Sequence, residues 1–123
     1  MNRAIMTVDD SVSVRMMVTY TLKVAGYDVA EAADGEEAWT KLQDGAFGLL
    51  IVDINMPNLN GLDLLERIRA RGGAHRFVPV VMLTTESQRE KRDRAKVAGA
   101  TAWMVKPFSP ESLLEVVGKV LGS

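Results

Sequence analysis

The chain has 123 residues, 47% of them hydrophobic, with 15 Lys and Arg against 16 Asp and Glu, a formal charge of −1 and no Cys. That length suits one domain with one core, read as residues 1–123, and the mix of apolar and charged residues excludes a disordered chain. A near-neutral total gives no overall basic field for nucleic acid or an anionic membrane, and the lack of Cys excludes a disulfide framework and a thiolate metal site. Apolar runs such as 47–52 fall far short of the roughly 20 residues that span a bilayer. Only five largely apolar residues precede Asp9-Asp10, too few for a signal-peptide core. A soluble cytoplasmic protein is expected, with no nucleic-acid or membrane partner.

In chain order, short apolar runs alternate with amphipathic stretches five times. Residues 4–8 read as the first strand. A helix follows Ser13, with Val14, Met17, Val18 and Leu22 on one face, and stops at Gly26. Residues 27–30 form the second strand. Asp34-x-x-Glu37 has the spacing of a capping box and opens a helix that ends near Gly45. After a third strand at 49–52, a helix carrying Leu64, Leu65 and Ile68 ends before Gly72-Gly73. Residues 78–83 are the fourth strand, and Ser87-x-x-Glu90 opens a helix ending at Gly99. The fifth strand is 102–105. Ser109 then caps a helix with Pro110 at its first position and a stripe of Leu113, Val116, Val117, Val120 and Leu121.

The strand runs are continuous rather than alternating, as expected of strands covered on both faces. Five strand–helix alternations imply an α/β fold with a parallel sheet and right-handed crossovers. Such sheets bind ligands beyond the carboxyl ends of their strands. There the first strand ends in Asp9-Asp10, the third in Asp53, the fourth in Thr84-Thr85 and the fifth in Lys106-Pro107. Singly, each is ordinary: an acidic pair caps a turn, a Thr ends a strand, a Lys-Pro makes a loop. Together they set three carboxylates, a hydroxyl and an ammonium on one edge. Two carboxylates 4 Å apart repel by about 4 kcal/mol at an effective dielectric of 20, so three demand a cation or a raised pKa. An all-oxygen site with few carboxylates suits Mg²⁺ with phosphate as co-ligand. Lys106 and Thr84 can reach phosphate oxygens, and one Asp can serve as a nucleophile.

The segments Val8-Asp9-Asp10-Ser11, Asp53-Ile54-Asn55-Met56-Pro57-Asn58-Leu59-Asn60-Gly61-Leu62, Met82-Leu83-Thr84-Thr85-Glu86 and Val105-Lys106-Pro107-Phe108 carry a resemblance. Over essentially its whole length, the chain resembles the receiver domain of bacterial two-component response regulators, of the stand-alone chemotaxis, CheY-like type. The resemblance implies a flavodoxin-like three-layer sandwich: a five-stranded parallel sheet in the order 2-1-3-4-5 with five helices. It implies that Asp53 accepts a phosphoryl group from the phosphohistidine of a sensor histidine kinase. Asp10, Asp53 and the backbone carbonyl of Asn55 would ligate Mg²⁺ directly, with Asp9 acting largely through water. Lys106 would contact the phosphoryl oxygens and Asp9 or Asp53. Thr84 would close on the phosphoryl group, and Trp103 occupies the position of the switch aromatic. Lys106-Pro107 would be cis, and Pro57 and Gly61 would shape the loop after the nucleophile. Asn55, Thr85 and Glu86 would tune access and the lifetime of the phosphoryl group.

Such a protein is a monomeric switch that acts by binding, an enzyme only toward its own phosphorylation and dephosphorylation. Its downstream partner would be a flagellar motor switch or a phosphorelay protein, unless it serves its kinase as a phosphate sink. Two residues depart from the pattern: Trp103 stands where Tyr or Phe is usual, and Thr85 where a smaller residue is usual. A phosphatase of the haloacid dehalogenase type also uses strand-end Asp, Thr and Lys, but it wants Asp-x-Asp where this chain has Asp53-x-Asn55. A flavin carrier on the same fold would find its phosphate repelled by Asp9-Asp10.

The fourth helix is basic, with Arg89, Lys91, Arg92, Arg94 and Lys96, and has little apolar surface beyond Ala95, Val97 and Ala98. It is either a solvated helix with internal pairs such as Glu90–Arg94 or a weakly anchored output face. His75 reads as solvated in a polar loop, Met16-Met17 and Met82 as core filling, and Trp39 as either core or surface.

Overall fold

In a computed structural model, described over residues 3–71, 73–85 and 89–122, the elements are β1 (Ala4–Val8), α1 (Val12–Val24), β2 (Asp28–Ala32), α2 (Gly35–Asp44), β3 (Leu49–Asp53), α3 (Gly61–Arg71), a short 3-10 turn (Gly73–His75), β4 (Val80–Thr84), α4 (Arg89–Ala98), β5 (Ala102–Val105) and α5 (Pro110–Leu121). All strand pairs are parallel and the sheet order is β2-β1-β3-β4-β5. Glu86, Ser87 and Gln88, with the expected cap of the fourth helix, lie outside the described residues.

Side chains along the strands alternate between two cores. Met6, Val8, Leu50, Val52, Val80 and Met82 pack under α2, α3 and α4 with Leu64, Leu65, Ile68 and Ala95. Ile5, Leu49, Ile51, Val81 and Leu83 pack under α1 and α5 with Val18, Leu22, Leu113 and Val117. Every residue of β3 and β4 is buried, which is why those runs carry no polar alternation. The outer strands β2 and β5 are only partly covered, so Glu31 is tolerated inside β2.

Element boundaries shift from the expected ones for local reasons. Helix α1 starts at Ser11, not Ser13, because the Ser11 hydroxyl accepts the Val14 N–H while the Asp9 carboxylate takes the Ser11 N–H. Strand β2 runs on to Ala32, paired with Val8. Strand β4 begins at Val80, since the Val78 N–H is tied to the His75 carbonyl and Pro79 has none to offer. The cap at Asp34 forms as expected, Asp34 accepting from Glu37 N–H, but the return bond of the box shifts by one residue: Glu37 accepts from Ala33 N–H, just before the cap. Ser109 caps α5, whose chain leaves through Gly122 in the left-handed conformation.

Two single-residue expectations need correction, and Trp39, which reads as either core or surface, takes a place between them. Met16 is not core: with Val12, Tyr20 and Val24 it forms an exposed row along α1, at the four-residue spacing that keeps a helix face. Met17 and Met82 do pack inward. His75 is not solvated but buried; its Nε2 accepts the Phe47 N–H at 3.1 Å and its ring packs on Phe47. Burial holds its pKa below the ordinary value. Trp39 packs partly against the core beneath the Arg67 guanidinium.

Gly61 is where the fold meets the loop after β3. Its N–H donates to the Ile54 carbonyl, and an added Cβ would lie 2.2 Å from the Asp53 carbonyl oxygen. Backbone must therefore retreat to admit any side chain. Gly61→Ala is expected to lower stability by roughly 1–3 kcal/mol in chemical denaturation; an unchanged midpoint would show that this contact is not tight in solution.

Candidate functional site

Parallel topology brings the ends of β1, β3 and β5 to one edge, and side-chain parity selects which groups meet there. Asp9, Asp53 and Lys106 continue the register that places Ile5, Ile51 and Met104 in the same core. Their head groups converge: Lys106 Nζ lies 3.0 Å from Asp9 Oδ2 and 3.2 Å from Asp53 Oδ2. Asp9 is fully buried, Asp53 nearly so, and Asp10 exposed. One oxygen from each of Asp9, Asp10 and Asp53 lies within 4.8 Å of the others.

The backbone fastens this cluster. Asp9 N–H extends the sheet pairing to the Ala32 carbonyl, and the Asp9 carbonyl accepts Arg15 Nη1 at 2.6 Å. Arg15 is in turn held by Glu31 at 2.9 Å. Ile54 N–H bonds the Leu83 carbonyl, and Asn55 N–H donates to Asp53 Oδ1 at 3.4 Å. Asn58 adopts a positive φ of 64° and donates from its side chain to Asp34, tying the loop to the start of α2. The Lys106–Pro107 bond is cis, as expected.

Not every expected residue joins the cluster. Thr84 has the other parity; it is fully buried and its hydroxyl donates to the Met104 carbonyl at 3.4 Å rather than to a carboxylate. Thr85 is half-buried and lines a second, apolar cleft with Val14, Met17, Lys106, Pro107 and Phe108. Trp103 is half-buried on the α4 side of β5, with the Arg92 guanidinium 4.7 Å from its ring centroid. Glu86 lies outside the described residues. Arg94 does not form the expected pair with Glu90; it crosses to α3, reaching Glu66 at 2.7 Å and Asp63 at 3.2 Å. Arg15, Lys91 and Arg94 were not legible as supporting residues, because only packing decides which helix faces meet the loops.

The electrostatics follow from burial. Desolvation raises the Asp53 carboxyl most, the Asp9 charge adds to it, and Lys106 pulls it back by charge and hydrogen bond, leaving a pKa of about 6 against 3.8. Burial alone would lower Lys106, but its hydrogen bond to Asp9 and the charges of Asp53 and Asp9 outweigh this and raise it. One ammonium thus serves two buried carboxylates, with a third beside them. That all-oxygen, cation-deficient donor set fits a hard divalent ion such as Mg²⁺. A cleft of about 550 Å³ opens beside it, lined by Asp10, Asn55, Met56, Lys91 and Arg94 among others.

Fold and site together define a doubly wound α/β protein whose carboxyl edge carries a lysine-bridged acidic pocket. The family model of the response regulator receiver domain matches residues 5–118, and the chain belongs to that family. It is a phosphorylation-activated signalling switch of the two-component kind, not a conventional enzyme. Among its relatives, chemotaxis protein CheY1 of Helicobacter pylori is 42% identical over 121 residues, covering 97% of each chain. The chemotaxis protein CheY homolog of Campylobacter jejuni is 40% identical, over 97% of this chain and 92% of that one. The solved structure of Vibrio cholerae chemotaxis protein CheY4 superposes with a TM-score of 0.91 at 45% identity, covering 98% of this chain and 100% of that one. No described helix is long and apolar enough to cross a membrane.

The raised Asp53 pKa has a definite sign for stability. Folding favours the neutral carboxyl, so its contribution is complete below pH 3.8 and lost as pH rises through about 6. In EDTA at pH 7.5, Asp53→Asn is expected to be more stable than the parent, by up to about 2–3 kcal/mol, with the gap closing toward pH 4. Denaturation at both pH values checks this, and taking the difference between the two proteins cancels the opposite contribution of His75. An equal or lower stability of Asp53→Asn at pH 7.5 would contradict it.

Proposed function

We propose that Asp53 is the phosphoacceptor. A carboxylate oxygen of Asp53 attacks the phosphorus of a phosphohistidine on a sensor histidine kinase. The phosphorus–nitrogen bond breaks, its electron pair stays on the imidazole, and an aspartyl phosphate remains. Lys106 offers its ammonium to the phosphoryl oxygens, and the Thr84 hydroxyl leaves Met104 to bond another. Asp10, Asp53 and the carbonyl of Asn55, with Asp9 through water, would hold Mg²⁺; when bound, it neutralises charge on the transferring group. Asn55, Thr85 and Glu86 tune how long the phosphoryl group survives, and Trp103 reports the change at the β5 surface. The observation that carries this reading is the pair of buried carboxylates bridged by one ammonium at the carboxyl edge of the sheet, beside an exposed third.

The relatives are chemotaxis proteins, which supports a chemotaxis pathway and a downstream partner such as the flagellar motor switch; a cytoplasmic location and a monomer of one domain over 1–123 belong to the same proposal. A phosphorelay intermediate or phosphate sink would use the same site and differ only in partner. Incubation with Mg²⁺ and acetyl phosphate or phosphoramidate, read by intact mass, is expected to give one phosphoryl adduct. The adduct should vanish in Asp53→Ala and in excess EDTA. Lack of an adduct with both donors, or its persistence in Asp53→Ala, would overturn the assignment. Sustained turnover of a phosphomonoester would favour the phosphatase instead.

A further inference from the structure

Helix α4 lacks the apolar anchor that the other helices have. Ala95 is its one fully buried side chain among the described residues, Ala98 is partly covered, and Val97 is 91% exposed. Small residues allow close approach but bury little area, so polar contacts must decide where the helix rests. They are unequal at its two ends. At the C-terminal end, Arg69 of α3 donates to the Gly99 carbonyl from Nε at 3.3 Å and Nη2 at 2.8 Å, while its Nη1 holds the carbonyls of Arg76 and Val78. Gly99 itself turns the chain with φ 103°. This end is tied to backbone carbonyls by four hydrogen bonds from one guanidinium.

Among the described residues, the N-terminal half is held by long, solvated side chains. Lys91, Arg94 and Ala95 share one face at helical spacing. Arg94 spans to Asp63 and Glu66 of α3, and Lys91 Nζ donates to Asn55 Oδ1 at 3.0 Å. Asn55 is the residue whose N–H donates to Asp53 Oδ1 and whose carbonyl is the non-carboxylate ligand in the proposed metal site. Lys91 and Asn55 also line the same cleft beside Asp10. Among the described residues, this hydrogen bond therefore joins the loop that carries the phosphoacceptor and metal ligand to the N-terminal half of the helix.

We propose that Lys91 is a positioning residue whose bond to Asn55 couples metal occupancy to the placement of α4. This rests on the metal site proposed above. When the loop is drawn toward a cation, Asn55 shifts, and Lys91 carries that shift to the helix, which turns about its Arg69–Gly99 end. The next residue, Arg92, stacks on Trp103, so the indole senses the movement. By linkage, the helix position must also feed back on metal affinity.

The test uses the full chain with Trp39→Phe, so that Trp103 is the sole indole. Mg²⁺ is titrated by calorimetry and by Trp103 emission on the same samples. The parent is expected to show a saturable emission change at the calorimetric midpoint. In Lys91→Met that change should shrink at least threefold at equal occupancy, and Asn55→Ala, which removes the acceptor but keeps the carbonyl, should do the same. The double variant should go no further than either single one. Lys96→Met, which removes an exposed cation of the same helix, should leave the response intact. Heat of binding without any emission change in the parent would overturn the coupling. So would a full response in Lys91→Met, or an equal loss in Lys96→Met. Lack of binding heat in the parent would instead remove the metal reading beneath it.

Discussion

The structure turns on one ammonium placed between two buried carboxylates. Lys106 reaches Asp9 at 3.0 Å and Asp53 at 3.2 Å, and without it two like charges would face each other in a site from which most water is excluded. Its attraction does not fully compensate: the Asp53 pKa still stands near 6. The pocket is therefore an unbalanced one, stable enough to fold and still short of positive charge. That residual deficit is what makes it receptive to a cation and to the phosphoryl chemistry proposed for it.

The rest of the fold is arranged to hold that imbalance. Strands β3 and β4 are buried throughout, and their parity places Asp53 and Thr84 at adjacent strand ends facing different ways. Asp53 meets Lys106 and Asp9, while Thr84 bonds the Met104 carbonyl in β5. Gly61 lets α3 begin against the Asp53 carbonyl, and Arg15 grips the Asp9 carbonyl from α1. The acidic edge is thereby rigid. The flank formed by α4 is different in kind, since surface ion pairs and lysine hydrogen bonds are weak and adjustable. A stiff reaction centre beside a loosely seated helix is a physical basis for a switch.

Much of the site was readable in the one-dimensional pattern. Asp9, Asp10, Asp53, Thr84 and Lys106 each follow an apolar run, and a parallel sheet must bring such ends together. The supporting residues were not readable. Whether Arg94 pairs with Glu90 on its own helix or with Asp63 and Glu66 on the next depends on how α3 and α4 pack. His75 looked like a loop residue because its neighbours are Gly and polar; only the approach of Phe47 encloses it. Met16 and Met17 are chemically identical neighbours, and the phase of α1, set by its start at Ser11, decides which one is buried.

Local chemistry alone determined the alternation of strands and helices, the caps at Asp34 and Ser109, and the order in which reactive side chains come to the edge. These depend on propensities and periodicities within a few residues. The three-dimensional packing decided the spacing of the carboxylates, the burial that lifts Asp53, the different partner of Thr84, and the contact from Lys91 to Asn55. Each of those depends on residues far apart in the chain, as 97 positions separate Asp9 from Lys106. Charge interactions at 3 Å are set by distance and desolvation, and neither quantity exists until the elements are packed.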